Sequence, residues 1–170
     1  MKEKNEKKEQ SILVSEFTKE ILEEKLKELR EKRRKIGEEG IPWPHEGPGV
    51  HVILQQTEAE ISRIEGILNN CAAYSFPQNP EKVELGVGIK LVISSDSQLE
   101  EMKIGMVSSV DVSYLPPLSD LIFISPESPF GKELIKRKPG DKFSFKNPEG
   151  EIWEVVIKEV FSLSNFFKNE

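Results

Sequence analysis

Seven of the thirteen residues from Gly37 to Gly49 are glycine or proline: Gly37, Gly40, Pro42, Pro44, Gly47, Pro48 and Gly49. No regular helix runs through such a stretch, because proline lacks a backbone donor and glycine loses the most freedom on ordering. The segment therefore cuts the first half of the chain in two. Before it, Leu22, Leu26, Leu29, Arg33 and Ile36 recur at 4-3-4-3 spacing, with Phe17 and Ile21 widening the start. After it, Val50, Leu54, Thr57, Ile61, Ile64, Leu68 and Cys71 recur at 4-3-4-3-4-3 spacing. Each set is one narrow stripe of a helix, a heptad-like seam. Two such stripes around a fixed bend predict an antiparallel coiled-coil hairpin over residues 15–75.

The composition fits that part. Charged residues make up 32% of the 170-residue chain and the hydrophobic set 36%. So much charge needs a large solvated surface, which a two-helix hairpin supplies, and the periodic apolar positions argue against disorder. The net charge of −6 and sequence pI of about 5.2 exclude a general nucleic-acid coat, which needs a basic surface to displace counterions. The single cysteine, Cys71, allows no intramolecular disulfide and suits a reducing compartment. No apolar run approaches the roughly 18 residues of a membrane span. Residues 1–14 begin with a Lys/Glu-rich stretch lacking the apolar core of a secretory signal, and read as a frayed or disordered lead-in. A cytoplasmic protein without a membrane segment is expected.

Phe76-Pro77 and Asn79-Pro80 break the second helix, so residues 76–82 read as a linker. From residue 83 to 170 the period changes. Val83–Leu85, Ile89–Ile93, Met102–Val112, Leu121–Ile124, Phe143–Phe145 and Ile152–Val160 have strand composition, bounded by Gly and Pro turns. One short helix fits among them, with Ser128 as N-cap, Pro129 at its first position, and Phe130, Leu134 and Ile135 on its apolar face. The class is α+β: a helical hairpin followed by an antiparallel β domain of five or six strands with one helix.

The stretch Ile124-Ser-Pro-Glu-Ser-Pro-Phe-Gly-Lys-Glu-Leu134, followed by Lys138-Pro-Gly-Asp141, the turn Pro148-Glu-Gly150 and a strand from Ile152, resembles the C-terminal domain of the bacterial transcript-cleavage factors GreA and GreB. That family carries I-S-x-x-S-P-L-G-x-A-L, then K-x-G-D, a strand, a Pro-x-Gly turn and a last strand. Val83-x-x-Gly86-x-x-Ile89 and Arg63-Ile64 match more weakly upstream. The resemblance implies an FKBP-like C-terminal domain that docks at the rim of the secondary channel of RNA polymerase. It also implies a coiled coil that passes down the channel, where two tip acids help hold a magnesium ion so that the polymerase itself cleaves backtracked RNA. Such a factor is not an enzyme and has no cofactor of its own beyond that shared Mg2+. It works as a monomer beside transcript RNA and DNA. Ser128, Pro129, Phe130 and Gly131 become the docking candidates.

At the tip the pattern departs. The family text is close to G-D-L-S-E-N-A-E-Y, and counting back from Arg63 sets it against Pro42–Val50. Glu46 falls on the second acidic position, Trp43 on the first, and His45 lies between them; no Asp occurs between residues 10 and 95. Hard divalent cations take oxygen ligands, usually several carboxylates and waters. Glu46 alone therefore predicts channel occupancy without efficient cleavage. Trp43, clamped between prolines, either caps the hairpin seam or contacts the polymerase.

Arg30, Arg34 and Lys35 stand in a run of five basic residues in six, Arg30–Lys35. The run is either a solvated helix face or, as the resemblance suggests, a phosphate contact with the transcript. Arg33 lies on the seam and is expected to be paired or snorkelling. Gly131 near a helix start costs about 1 kcal/mol relative to alanine, which points to close approach of another segment, from within the domain or from the polymerase. A second reading, an FKBP-type prolyl isomerase or chaperone, needs an apolar pocket that Tyr114, Phe123, Phe143 and Trp153 would have to line.

Overall fold

The computed structural model describes residues 11–39, 49–95 and 98–167. In chain order the elements are β1 (Ile12–Ser15), α1 (Glu16–Glu39), α2 (Val50–Asn70), β2 (Cys71–Tyr74), β3 (Val87–Ser95), β4 (Gln98–Met106), α3 (Ser109–Tyr114), β5 (Ile122–Ile124), α4 (Pro129–Leu134), β6 (Lys142–Lys146), β7 (Ile152–Ser162) and α5 (Ser164–Phe167). The chain divides into two compact units, residues 1–13 with 22–72, and residues 14–21 with 73–170.

The first unit holds most of α1 and α2. Leu22, Leu26, Leu29 and Ile36 of α1 are buried, as are Thr57, Ile61 and Ile64 of α2. The Thr57 hydroxyl is satisfied by the Ile53 carbonyl at 2.8 Å, so a polar group sits in the seam without cost in lost hydrogen bonds. Lys25–Glu60 at 2.7 Å and Arg30–Glu65 at 2.8 Å join the two helices. The strands that lead into α1 and out of α2 pair with each other, so the two helices run antiparallel. Arg33 is exposed, contrary to its seam position: the α1 stripe skips it and resumes at Ile36. A guanidinium in a two-helix seam would lose water without gaining a fixed partner.

The second unit is built on a five-stranded sheet in the order β5-β4-β3-β7-β6. All neighbours are antiparallel except β4 and β5, which are parallel, so the sheet is mixed. A parallel neighbour requires a crossover, and α3 supplies it between β4 and β5. The sequence reading ran a strand from Met102 to Val112. The strand ends at Met106 because Ser108 and Asp111 form a reciprocal capping box that starts α3. The unit thus has three short helices, not one. Val83–Leu85 is not a strand; Val83 is held by paired backbone bonds with Lys136 and Arg137. Two stretches expected to be loose are also part of the fold. Ile12–Ser15 form β1, with Val14 buried, and Phe76, in the expected linker, is buried in the core.

Period-two alternation gives the sheet two apolar faces. On one, Ile89, Leu91 and Ile93 of β3, Ile104 and Met106 of β4, Val155 and Ile157 of β7, and Leu134 of α4 form one cluster. On the other, Phe76, Val107, Leu115, Leu121 and Leu163 gather Phe17, Tyr74, Phe123, Phe161 and Phe167. Gly88 faces Gly105 across β3 and β4, and Phe161 of β7 and Phe123 of β5 flank them on the neighbouring strands. A Cβ on Gly88 would stand 2.1 Å from the Phe161 ring, and one on Gly105 would stand 2.7 Å from Phe123. The missing side chains are the space those rings occupy.

Asp111 is fully buried. Its Oδ1 accepts from the Ser15 N–H at 3.0 Å and the Ser15 hydroxyl at 2.8 Å. Its Oδ2 accepts from the Ser108 hydroxyl at 2.7 Å, the Ser108 N–H at 3.2 Å and the Tyr74 hydroxyl. Ser15 Oγ in turn caps α1 by accepting the Thr18 N–H at 3.1 Å. One carboxylate therefore gathers, within this unit, the end of β1, the end of β2 and the start of α3. Asp111→Ala removes the acceptor of the Ser15 N–H and of the Ser15, Ser108 and Tyr74 hydroxyls and leaves the Ser108 N–H only the Tyr74 hydroxyl at 3.2 Å; each orphaned buried group costs about 1–3 kcal/mol. The expected outcome is a urea midpoint lowered by the equivalent of at least about 3 kcal/mol.

Burial first, and then the Asp111 carboxylate, push the Tyr74 phenol well above its ordinary value. The folded value exceeds the unfolded one of about 10, so this contribution to stability is complete below that pH and is lost as pH rises beyond it. Phenolate absorbance should therefore show wild type gaining, on alkaline unfolding, a phenolate that the Tyr74→Phe variant lacks. The folded proteins should titrate alike up to about pH 10.

Candidate functional site

The expected tip residues Trp43, His45 and Glu46 lie outside the described residues. The other sequence candidates fall into two groups, one in each unit.

On α1, the basic run is matched locally by acids. Arg34 binds Glu31 at 2.7 Å and Glu38 at 2.5 Å, Lys35 lies 3.8 Å from Glu31, and Arg30 binds Glu65. The Arg34 hydrogen bond holds the Glu31 carboxyl below its usual range. All three cations are more than half exposed. Ion pairs this wet contribute little to stability and exchange readily for another anion. The structure therefore keeps both readings of the run available: a solvated face at rest, and a row of cations that a phosphate can recruit.

On the sheet unit, α4 starts as the sequence predicts. Ser128 Oγ accepts the Gly131 N–H at 3.0 Å and donates to the Ser125 carbonyl at 2.7 Å, with Pro129 in the first turn. Gly131 has an explanation inside the domain. A Cβ there would stand 2.0 Å from the Ser125 carbonyl oxygen. Of the four docking candidates, Pro129 is exposed, Ser128 and Phe130 are half-buried, and Gly131 is buried. The Phe130 ring lies 4.8 Å from Phe145 and 6.2 Å from both Phe143 and Trp153. The Arg137 guanidinium covers Phe143 at 3.9 Å.

These contacts bear on the isomerase reading. The four aromatics it needed do not converge. Phe143 and Trp153 pack with the cluster on one face of the sheet, and Phe123 packs with the cluster on the other. The rings that do meet are filled by Phe130 rather than open to a peptide.

A feature that sequence reasoning missed lies on the same face as α4. A groove of about 610 Å³ is lined by Ile93, Met102 and Trp153 on its more buried side and by Leu99, Glu100 and Glu151 on its exposed side. Its two walls come from β3–β4 and from β7, roughly fifty positions apart in sequence, so no local signal marks it.

Among the described residues, no group of three or more His, Cys, Asp and Glu side chains is placed to hold a metal ion, and no helix is long and apolar enough to cross a membrane. An antiparallel helix pair and a mixed sheet with a capped helix define a two-unit α+β protein. A family model described as "Transcription elongation factor, GreA/GreB, C-term" matches residues 78–161. Through this domain the chain belongs to the GreA/GreB family of transcription elongation factors, which are RNA polymerase cofactors rather than enzymes.

No curated protein matches the chain. Among solved structures it is similar to GreA factor homolog 1 (Gfh1) of Thermus thermophilus at 22% identity, covering 89% of this chain and 99% of that one with a TM-score of 0.37. It is similar to Thermus aquaticus Gfh1 at 20% identity, covering 89% and 99%, with a TM-score of 0.40. It is also similar to a GreA/GreB factor from Nitrosomonas europaea at 20% identity, covering 89% and 98%, with a TM-score of 0.37. Likeness at this level does not speak to function.

The internal approach at Gly131 makes a test of α4. Gly131→Ala must push the Ser125 carbonyl or unwind the first turn, at about 1–3 kcal/mol. Thermal unfolding should show a clearly lowered midpoint, whereas Lys132→Ala, on the exposed side of the same helix, should leave it nearly unchanged.

Proposed function

We propose that this protein binds bacterial RNA polymerase through the secondary channel and modulates elongation there, with little stimulation of transcript cleavage. The single observation that carries the proposal is the GreA/GreB family match over residues 78–161, on a chain whose preceding residues form an antiparallel helix pair. The sheet unit docks at the channel rim, with the α4 start (Ser128, Pro129 and Phe130) as its contact. The helix pair enters the channel. Arg30, Arg34 and Lys35 trade their surface carboxylates for phosphates of the transcript. The protein acts as a monomer in the cytoplasm, next to RNA and DNA held by the polymerase.

The limit on cleavage comes from the tip. Between Gly40 and Gly49 the chain has one carboxylate, Glu46. That donor set does not fit a Mg2+ shared with the polymerase in the manner of a two-acid tip, because a hard divalent cation is held by several oxygen ligands. No step is therefore routed through a metal. Occupancy of the channel, with Trp43 between Pro42 and Pro44 in the sequence, is the activity left to the tip.

RNA cleavage in stalled, backtracked polymerase complexes tests this. Wild type should cleave little, Glu46→Ala should remove what remains, and Trp43→Asp should gain cleavage by restoring a second acid. Strong wild-type cleavage that ignores Glu46→Ala would refute the tip assignment. Absence of any polymerase binding would refute the proposal as a whole.

A further inference from the structure

We propose that the lysine-rich connection between α4 and β6 binds the phosphate backbone of duplex DNA without regard to base sequence, a contact that does not depend on the polymerase reading above. Three observations carry it.

The first is unmatched charge. Lys132, Lys136 and Lys138 are exposed and have no ion-pair partner among the described residues, and the same holds for Lys142 where β6 begins. The acids of this stretch are engaged: Glu133 binds Arg137 at 3.4 Å, and Asp141 accepts the Lys138 N–H at 2.8 Å. On the segment of Val83, which pairs with this connection, Glu84 lies 3.7 Å from Lys82. Other lysines of the sheet unit have carboxylates of their own, with Lys90–Glu101 at 2.9 Å and Lys103–Asp120 at 2.6 Å. Lysines crowded together without such partners repel one another, and a bound anion removes that repulsion.

The second is a strained and anchored backbone. Lys136 has a φ of 69°, a conformation that no other non-glycine residue adopts among the described residues. Glycine would sit there without strain. The Lys136 N–H donates to the Val83 carbonyl at 2.8 Å, and the Arg137 carbonyl accepts the Val83 N–H at 2.7 Å. The Asp141 N–H closes the next turn onto the Lys138 carbonyl at 3.1 Å. The lysines thus project from a fixed chain, and one of them is kept at a cost in backbone strain, a pattern that accompanies binding sites.

The third is what the surface omits. A protein partner is met by an apolar interface core, but Leu134 is buried here, and Ile135 and Phe143 pack against the sheet cluster. Single strands are held by stacking bases on aromatic rings, and the ring at this place, Phe143, is covered by the Arg137 guanidinium at 3.9 Å. Ammonium groups without stacking or base-reading neighbours match the outside of a double helix, where lysine acts as a point charge on phosphate. The net charge of −6 confines the contact to this turn, so the protein touches DNA without coating it.

The experiment titrates a short fluorescent DNA duplex with the full-length protein and follows anisotropy across a salt series. It compares wild type, the turn variant Lys136→Gly/Lys138→Gln, and Lys90→Gln/Lys103→Gln, which removes the same charge from paired lysines. Lys136→Gly relieves the left-handed strain, so the turn variant should match or exceed the wild-type urea midpoint. The expected result is at least about tenfold weaker duplex binding by the turn variant at low salt, with the slope of log affinity against log salt reduced by about two. The paired-lysine variant should bind like wild type. Equal losses in both variants would make the effect one of net charge and overturn the proposal. Tighter binding of single-stranded RNA than of duplex, lost in the turn variant, would also overturn it. Affinity for purified core RNA polymerase is measured alongside. A wild type that binds polymerase but no duplex overturns the proposal and leaves the proposed function standing. A turn variant that binds duplex normally but loses polymerase assigns the lysines to an acidic protein surface, which overturns it as well.

Discussion

The sheet unit depends on a carboxylate, Asp111, that has no salt bridge among the described residues. Asp111 is stable in a buried site because five hydrogen bonds from hydroxyls and backbone N–H groups replace its water. A buried charge is tolerated only under such full satisfaction. The donors come from Ser15, Tyr74 and Ser108, which are far apart in sequence, so one side chain closes three segments of chain around a point. The aromatic cluster next to it, with Phe17 stacked 5.5 Å from Phe76 and Phe167 within 5.2 Å of Phe17, gathers the same segments through apolar contact. Polar and apolar terms therefore specify one arrangement, which is the consistency expected of a sequence with a single native state.

How much of this was legible depends on range. The helix pair was readable because a 3.5-residue seam and a dense run of Gly and Pro are local signals. The exception, Arg33, shows that spacing alone does not bury a charge. The Ser128 cap and Pro129 were likewise visible, since capping is decided within four residues. The shorter elements were not. β1 is four residues long and follows a charged stretch, and α3 starts directly after strand-like text, where its Ser108–Asp111 box was read as a strand continuation. The parallel pairing of β4 and β5 has no sequence mark at all. Gly131 announced that something came close, but only the fold shows that Ser125 is the neighbour.

The candidate surfaces divide in the same way. The basic run of α1 was evident as a pattern, yet its meaning rests on partners such as Glu65, thirty-five positions from Arg30. The groove was invisible because Glu100 and Met102 come near Trp153 and Glu151 only after β3 has come between β4 and β7. The aromatics proposed for an isomerase pocket failed for the converse reason: composition supplied the rings, but strand parity sent them to opposite faces.

The row formed by Phe161, Gly88, Gly105 and Phe123 has a consequence for how the sheet opens. Its two inner strands contribute no side-chain volume along that line, so the middle is filled from the strands on either side. Neither flank can peel away without leaving a void at the centre. Local fraying of β5 or the end of β7 is thereby tied to loss of the interior, and amide exchange in these outer segments reports the cooperative opening of the sheet as a whole.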